Sequence, residues 1–168
     1  IMKQLTLIRH AKSSWSNASM SDFERPLSAR GLRDAPQMGA HLRELPLQPV
    51  DRILSSPARR ARTTAELITQ ELGLAAGRIT LERRTYEASL SGLFELVRGL
   101  DAADGHVVLV GHNPGMEQLA RALDPEFKGD GEKFPTCGVA RIELAVDTWS
   151  QVGEGSARRC RFVCPKML

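Results

Sequence analysis

Two stretches of this chain are apolar almost without interruption, and each ends at a histidine. Leu5-Thr6-Leu7-Ile8 runs into Arg9-His10, and Val107-Val108-Leu109-Val110 passes through Gly111 into His112. Strands covered on both faces read this way, so strands are predicted over about 3–9 and 106–111. Short runs at 50–55 and 79–81 predict two more. Elsewhere the apolar positions recur at helical spacing. Leu32, Ala35, Met38, Leu42 and Leu45 follow Ser28 as a candidate N-cap, and Leu90, Leu93, Phe94, Val97 and Leu100 form a second stripe. Pro36 predicts a bend in the first helix or a later start. Ser56-Pro57 and Asn113-Pro114 each read as a cap followed by proline at the first helical position. They predict a helix closing at Gly73 and another of about ten residues after Pro114.

Beyond Leu123 the pattern changes. Pro125, Gly129, Gly131 and Pro135 predict an irregular loop over 124–137. Ala140, Ile142 and Leu144 alternate in a strand over 138–146, and a turn around Trp149, Gly153 and Gly155 leads to a returning strand over 158–163. Strands alternating with helices, followed by a hairpin, predict an α/β fold: a three-layer α/β/α sandwich with a mostly parallel sheet and an antiparallel edge. The 168 residues hold no repeat and no linker, which predicts one domain over 1–168.

Charge narrows the partners. Lys+Arg number 23 against 20 Asp+Glu, a formal net charge of +3 that is too even for a nucleic-acid binder. Basic residues concentrate at Arg59-Arg60-Ala61-Arg62 and Arg83-Arg84, as either an anion site or a solvated helix face, with Arg62 and Glu66 spaced as an i,i+4 pair. No apolar run approaches the roughly 20 residues of a membrane span, and the start lacks a signal-peptide pattern, so cytoplasmic residence is expected. Cys137, Cys160 and Cys164 are an odd count without a second metal-ligating pair, and read as structural thiols.

The chemistry gathers where strands stop. In a parallel sheet the C-terminal strand ends share one side, which brings Arg9-His10, the 56–60 turn and Gly111-His112 to one crevice. Arg9 and Arg60 offer planar donor forks that match phosphate oxygens. Arg60 and Thr64 lie on one face at a helix N-terminus, where an anion is favoured. His10 alone could serve as base, metal ligand or nucleophile. Two histidines among arginines make a phosphoryl pocket, and neighbouring cations keep His10 neutral, with a ring nitrogen free to attack phosphorus. His112 would then hydrogen-bond the transferring oxygens. Metal-dependent hydrolysis is disfavoured, because no carboxylate sits in ligand spacing and flanking arginines repel a cation. His41 reads as a residue that packs or faces solvent, and His106 as a structural one.

These motifs resemble the histidine phosphatase superfamily with its phosphoglycerate-mutase-like fold. Arg9-His10 occupies the family's Arg-His-Gly position, with Ala11 in place of glycine. Ser56-Pro57-x-x-Arg60-Ala61-x-x-Thr64-Ala65 is similar to its second arginine motif, and Val110-Gly111-His112-Asn113-Pro114 to its second histidine. The segment Leu7 to Trp15, with Arg25-Pro26-Leu27-Ser28-x-x-Gly31, resembles the small SixA branch of phosphohistidine phosphatases. The resemblance implies His10 as nucleophile, Arg9, Arg60 and His112 as the phosphate pocket, Arg25 as a further phosphate contact, and neither metal nor cofactor. Larger members carry a lid insertion with an acidic proton donor. The span Gly73–Val108 has no room for one, which leaves Glu87 as the nearby candidate acid. An open pocket and an imidazole leaving group favour phosphohistidine on a protein, such as a histidine phosphotransfer domain. Small phosphorylated metabolites handled by a phosphomonoesterase or mutase are the alternative, and a non-catalytic phosphate-binding module is a third.

Overall fold

A computed structural model of the chain describes residues 2–168. Its strands are β1 (Lys3–Arg9), β2 (Arg52–Ser55), β3 (Ile79–Leu81), β4 (His106–Gly111), β5 (Val139–Leu144) and β6 (Ala157–Val163). Its helices are α1 (Ala29–Arg43), α2 (Arg59–Glu71), α3 (Leu90–Arg98) and α4 (Gly115–Leu123). The six strands form one sheet in the order β3-β2-β4-β1-β5-β6. β3, β2, β4 and β1 run parallel, while β5 and β6 pair antiparallel along one edge.

Alternation along the strands builds two cores. Leu5, Leu7, Val107, Leu109 and Ile142 face α3 and α4, whereas Ile8, Val108, Val110 and Val139 face α1 and α2. Every residue of β4 is buried, as its unbroken apolar run requires of a strand with helices on both sides. The fold is the three-layer α/β/α sandwich read from the sequence. The 124–137 loop is irregular as expected, yet it buries Phe127 and Phe134 in the α3/α4 core against Phe162 of β6.

Five local expectations are corrected. Helix α1 starts at Ala29, not later at Pro36, and continues through Pro36 with Ser28 as its cap, accepting from the Gly31 N–H at 3.2 Å. The carbonyl that Pro36 leaves unpaired belongs to Leu32, which is 51% exposed, so solvent can take the missing bond. Leu32 is therefore off the core face. Asp34 is buried instead, with Arg30 Nε at 3.3 Å from its carboxylate. Helix α2 starts at Arg59 behind Ala58, not at Pro57 behind Ser56, and the Ser56 hydroxyl, besides accepting from the Ala58 N–H at 3.2 Å, meets a long-range partner. Likewise α4 starts at Gly115, although Asn113 Oδ1 still accepts from the Glu117 N–H at 3.2 Å. Finally, no Arg62–Glu66 ion pair occurs among the described residues. No described helix is long and apolar enough to cross a membrane.

Candidate active site

Register sets the centre of the site. Arg9 lies opposite Gly111 in the β1–β4 pair, and the His10 N–H donates to the Gly111 carbonyl at 3.0 Å. His10 and His112 therefore leave from adjacent strand ends, with ring centroids 5.2 Å apart. On the far side of β4, Ser55 lies opposite Val110 and the Ser56 N–H donates to the Val110 carbonyl at 3.0 Å, which brings the first turn of α2 and Arg60 to the same crevice. On the other side, the Cys137 N–H bridges the Arg9 and His10 carbonyls, each at 3.0 Å.

His10 is 6% exposed, and its Nδ1–H donates to the Ala11 carbonyl at 2.7 Å. A carbonyl cannot donate, so Nδ1 holds the proton of the neutral ring and Nε2 keeps its lone pair. Burial pushes the His10 pKa down to about 3 against the pull of that carbonyl, with His112, Arg60 and Arg9 adding to the fall. The ring is thus held neutral near neutral pH. Its backbone is anchored by Thr64, whose hydroxyl accepts from the Ala11 N–H at 3.0 Å and donates to the Arg60 carbonyl at 2.7 Å. The Lys12 carbonyl next in line accepts from the Ser28 N–H at 2.8 Å. A Cβ at Gly31 would stand 2.2 Å from that carbonyl oxygen, so only glycine lets α1 approach the segment behind His10.

His112 Nε2 is 2.8 Å from the Ser56 hydroxyl. Ser56 also accepts from the Ala58 N–H at 3.2 Å, and no other acceptor for its own proton occurs among the described residues. The hydroxyl therefore donates to Nε2, and the proton of the neutral ring sits on Nδ1. Burial, followed by Arg60, lowers the His112 pKa to about 4.

The polar atoms left over are informative. Among the described residues, four buried side-chain polar atoms lack a partner: Arg9 Nε, Arg60 Nε, His112 Nδ1 and Thr69 Oγ1. Three of the four are donors of the residues around His10. Each such orphan costs about 1–3 kcal/mol, and a tetrahedral oxyanion offers enough lone pairs to satisfy all three. Arg9 is steadied by donating to the Phe134 carbonyl at 3.1 Å, which also accepts from Asn113 Nδ2 at 2.9 Å. A metal has no such support, since no group of three His, Cys, Asp or Glu side chains arranged to hold one occurs among the described residues.

Asp22 joins the site from the polar loop, and nothing in its local sequence marks it. Arg60 donates to its carbonyl at 2.7 Å and to its carboxylate at 3.0 Å, Arg25 donates to the carboxylate at 3.2 Å, and the Tyr86 hydroxyl donates to it at 2.7 Å. The Tyr86 bond, then Arg60 and Arg25, hold the carboxyl pKa at about 2. Tyr86 in turn packs edge-on to His112 at 5.4 Å. Arg25 is brought into the site through Asp22. Its remaining nitrogen donates to Ser13, and its guanidinium stacks 3.5 Å from the centroid of the exposed Trp15 ring. Glu87 is exposed at φ 55 and lines a cleft of about 370 Å³ together with Asp22, Arg60, Tyr86 and His112. Arg59, Arg62, Arg83 and Arg84 are exposed, and Arg83 lies over the Phe23 ring at 5.8 Å. Asp22 and Tyr86 escaped the sequence reading, which placed the 56–60 turn in the crevice but gave the Ser56 hydroxyl no part in the site.

Comparison with known proteins agrees with this geometry. The family model of the histidine phosphatase superfamily (branch 1) matches residues 5–93. An uncharacterized protein of Mycobacterium tuberculosis strain H37Rv is 33% identical over 166 residues, covering 95% of this chain and 100% of its own. The crystal structure of a protein assigned as phosphohistidine phosphatase SixA, from Agrobacterium tumefaciens, superposes with a TM-score of 0.76 at 26% identity, over 97% of this chain and 98% of that one. The protein histidine phosphatase SixA complexed with tungstate shares the fold at a TM-score of 0.78 and 21% identity, with 97% of each chain covered. With an Arg-His strand end, a second histidine beside it and an arginine helix closing the crevice, the chain belongs to the histidine phosphatase superfamily.

Proposed function

We propose that the chain is a phosphatase that works through a covalent phosphohistidine at His10, and that its substrate is a phosphohistidine on a protein. In the first step the Nε2 lone pair of His10 attacks phosphorus. A P–N bond forms as the bond from phosphorus to the leaving imidazole breaks, and the departing imidazole takes a proton from solvent in the open cleft. In the second step water attacks phosphorus, the His10 P–N bond breaks, and inorganic phosphate leaves with His10 neutral again. Arg9, Arg60 and His112 carry the charge on the oxygens in both steps, as fixed donors that need no reorganisation. The observation that carries this reading is the cluster of three orphaned donors around a histidine whose Nε2 is free.

Two features support the choice of substrate. The cleft at His112, next to His10, is open, and among the described residues no helical layer is inserted over it, which suits a phosphorylated side chain on a large partner. Imidazole is also a better leaving group than an alcohol and needs less help from an acid. Glu87, at the cleft wall, is the proposed proton donor when the leaving group is an oxygen, and that position favours small phosphate esters as the second reading. Arg25 acts by holding Asp22 and Arg60 in place.

The test is a comparison of kcat/KM for a phosphohistidine-bearing protein, phosphoglycerates and a generic aryl phosphate. The proposal expects the first to be preferred, and all turnover to fall by roughly 10⁴-fold or more in His10→Ala, the scale seen when a covalent nucleophile is removed. A preference for phosphoglycerates would support the second reading. Aryl phosphate turnover that survives His10→Ala would end the covalent mechanism.

A further inference from the structure

The crevice has two flanks of different charge. One contains Asp22 and Glu87 with Arg60 and His112, and the other contains Arg9, Lys12, Arg30 and Lys133 with Glu117 and Asp130. On the first flank Asp22 is fixed rather than free. Two of its oxygens accept from Arg60, its carboxylate also accepts from Arg25 and Tyr86, and Tyr86 is braced against His112 and Phe23. Arg60 in consequence turns both terminal nitrogens toward Asp22, which leaves the unpartnered Nε and the second N–H of each terminal nitrogen for a phosphoryl oxygen.

We propose that Asp22 is a specificity-determining residue, a fixed carboxylate that admits phosphates with a neutral or cationic leaving group and rejects those whose leaving group is anionic. This rests on the reading of the His10 crevice as a phosphoryl site, and it deepens that reading by naming a substrate class. A phosphoryl group held by Arg9, Arg60 and His112 directs its substituent along the crevice. On the Asp22 flank a protonated imidazole meets a carboxylate of opposite sign, with Glu87 adding to the attraction. The carboxylate of a phosphoglycerate meets two like charges there. Without Asp22 the opposite preference would hold, because Arg9, Arg60 and Arg25 together attract any extra negative charge.

Binding separates these cases without any turnover. Inhibition constants are measured for methylphosphonate, aminomethylphosphonate and phosphonoacetate, which share a phosphonate and carry a neutral, cationic or anionic tail. The wild-type protein should bind the cationic member most tightly and phosphonoacetate most weakly, with a total span on the order of 10- to 100-fold. In Asp22→Asn the span should collapse or invert, while methylphosphonate binds as tightly or more tightly because Arg60 is released. Wild-type protein that prefers phosphonoacetate, or a span unchanged in Asp22→Asn, overturns the proposal. A uniform loss for all three ligands in the variant also overturns it, since that marks Asp22 as a prop for Arg60 alone. The wild-type order needs no variant and stands even if Asp22→Asn does not fold. Failure of the phosphatase reading shows elsewhere, as aryl phosphate turnover that persists in His10→Ala.

Discussion

Strands β1 and β4 each carry a cationic or imidazole side chain at both ends, and the two ends are built by different rules. At the N-terminal end, Lys3 Nζ donates to the Ala102 and Asp104 carbonyls at 2.8 and 2.9 Å and lies over the Trp149 ring. His106 there is fully buried, with Nε2 at 2.8 Å from the Thr6 hydroxyl and Nδ1–H donating to the Gln48 carbonyl at 2.8 Å. At the C-terminal end, Arg9 Nε and His112 Nδ1 are buried without partners and His10 Nε2 is free. Burial alone therefore does not separate the two kinds of histidine. The difference lies in satisfaction: the structural end closes its hydrogen bonds within the chain, and the other end bears a cost that a ligand offsets.

Substitutions at the two ends should diverge in kind. Arg60→Ala should lower kcat/KM by roughly 10²–10³-fold, the usual cost of losing one fixed donor to a developing charge, with little change in melting temperature. Arg60→Lys should recover only part of this, because the planar fork is lost. If Arg60→Ala is as active as wild type, the C-terminal end is not a phosphoryl pocket. Ser56→Ala should cost about tenfold in kcat, equivalent to one hydrogen bond of about 1.4 kcal/mol that fixes the His112 tautomer. His106→Leu should do the reverse. Denaturant unfolding should show a loss of about 1–3 kcal/mol as Thr6 and Gln48 lose their partner, with kcat unchanged. A large loss of kcat in a folded His106→Leu protein would erase the distinction.

Acid should sharpen the same contrast more gradually. In the unfolded chain each histidine takes up a proton as pH falls through about 6.5. In the folded chain His112 resists until about 4 and His10 until about 3. Over that window the unfolded state binds more protons, so the stability present above pH 6.5 is lost on acidification. Melting temperature should fall from pH 6.5 to 4, and less steeply in His10→Gln or His112→Gln. Equal slopes in wild type and both variants would mean these rings are not held neutral.

Much of this was legible in the chain because it is encoded locally. Unbroken apolar runs ending at His10 and His112 specified buried parallel strands, and parallel strands place their ends together. Arg60 followed from its place near a helix start. What escaped depends on partners distant in sequence. Ser56 looked like a cap because Ser-Pro is a local signal, yet its hydroxyl meets His112, 56 residues away. Asp22 lies in a polar loop without periodicity, and its contact with Tyr86 spans 64 residues. Leu32 and Pro36 misled for the converse reason, since a helical stripe does not reveal where its packed face stops.

The central claim is that His10 Nε2 becomes phosphorylated. Rapid mixing with a ³²P-labelled phosphohistidine protein, an alkaline quench that preserves the P–N bond, and mass spectrometry of the digested protein test it directly. The expected result is an alkali-stable, acid-labile phosphate on His10 that forms and decays at rates consistent with kcat and is absent from His10→Ala. Label on another residue, or wild-type turnover with no labelled protein under conditions where its formation outpaces its decay, would contradict the account.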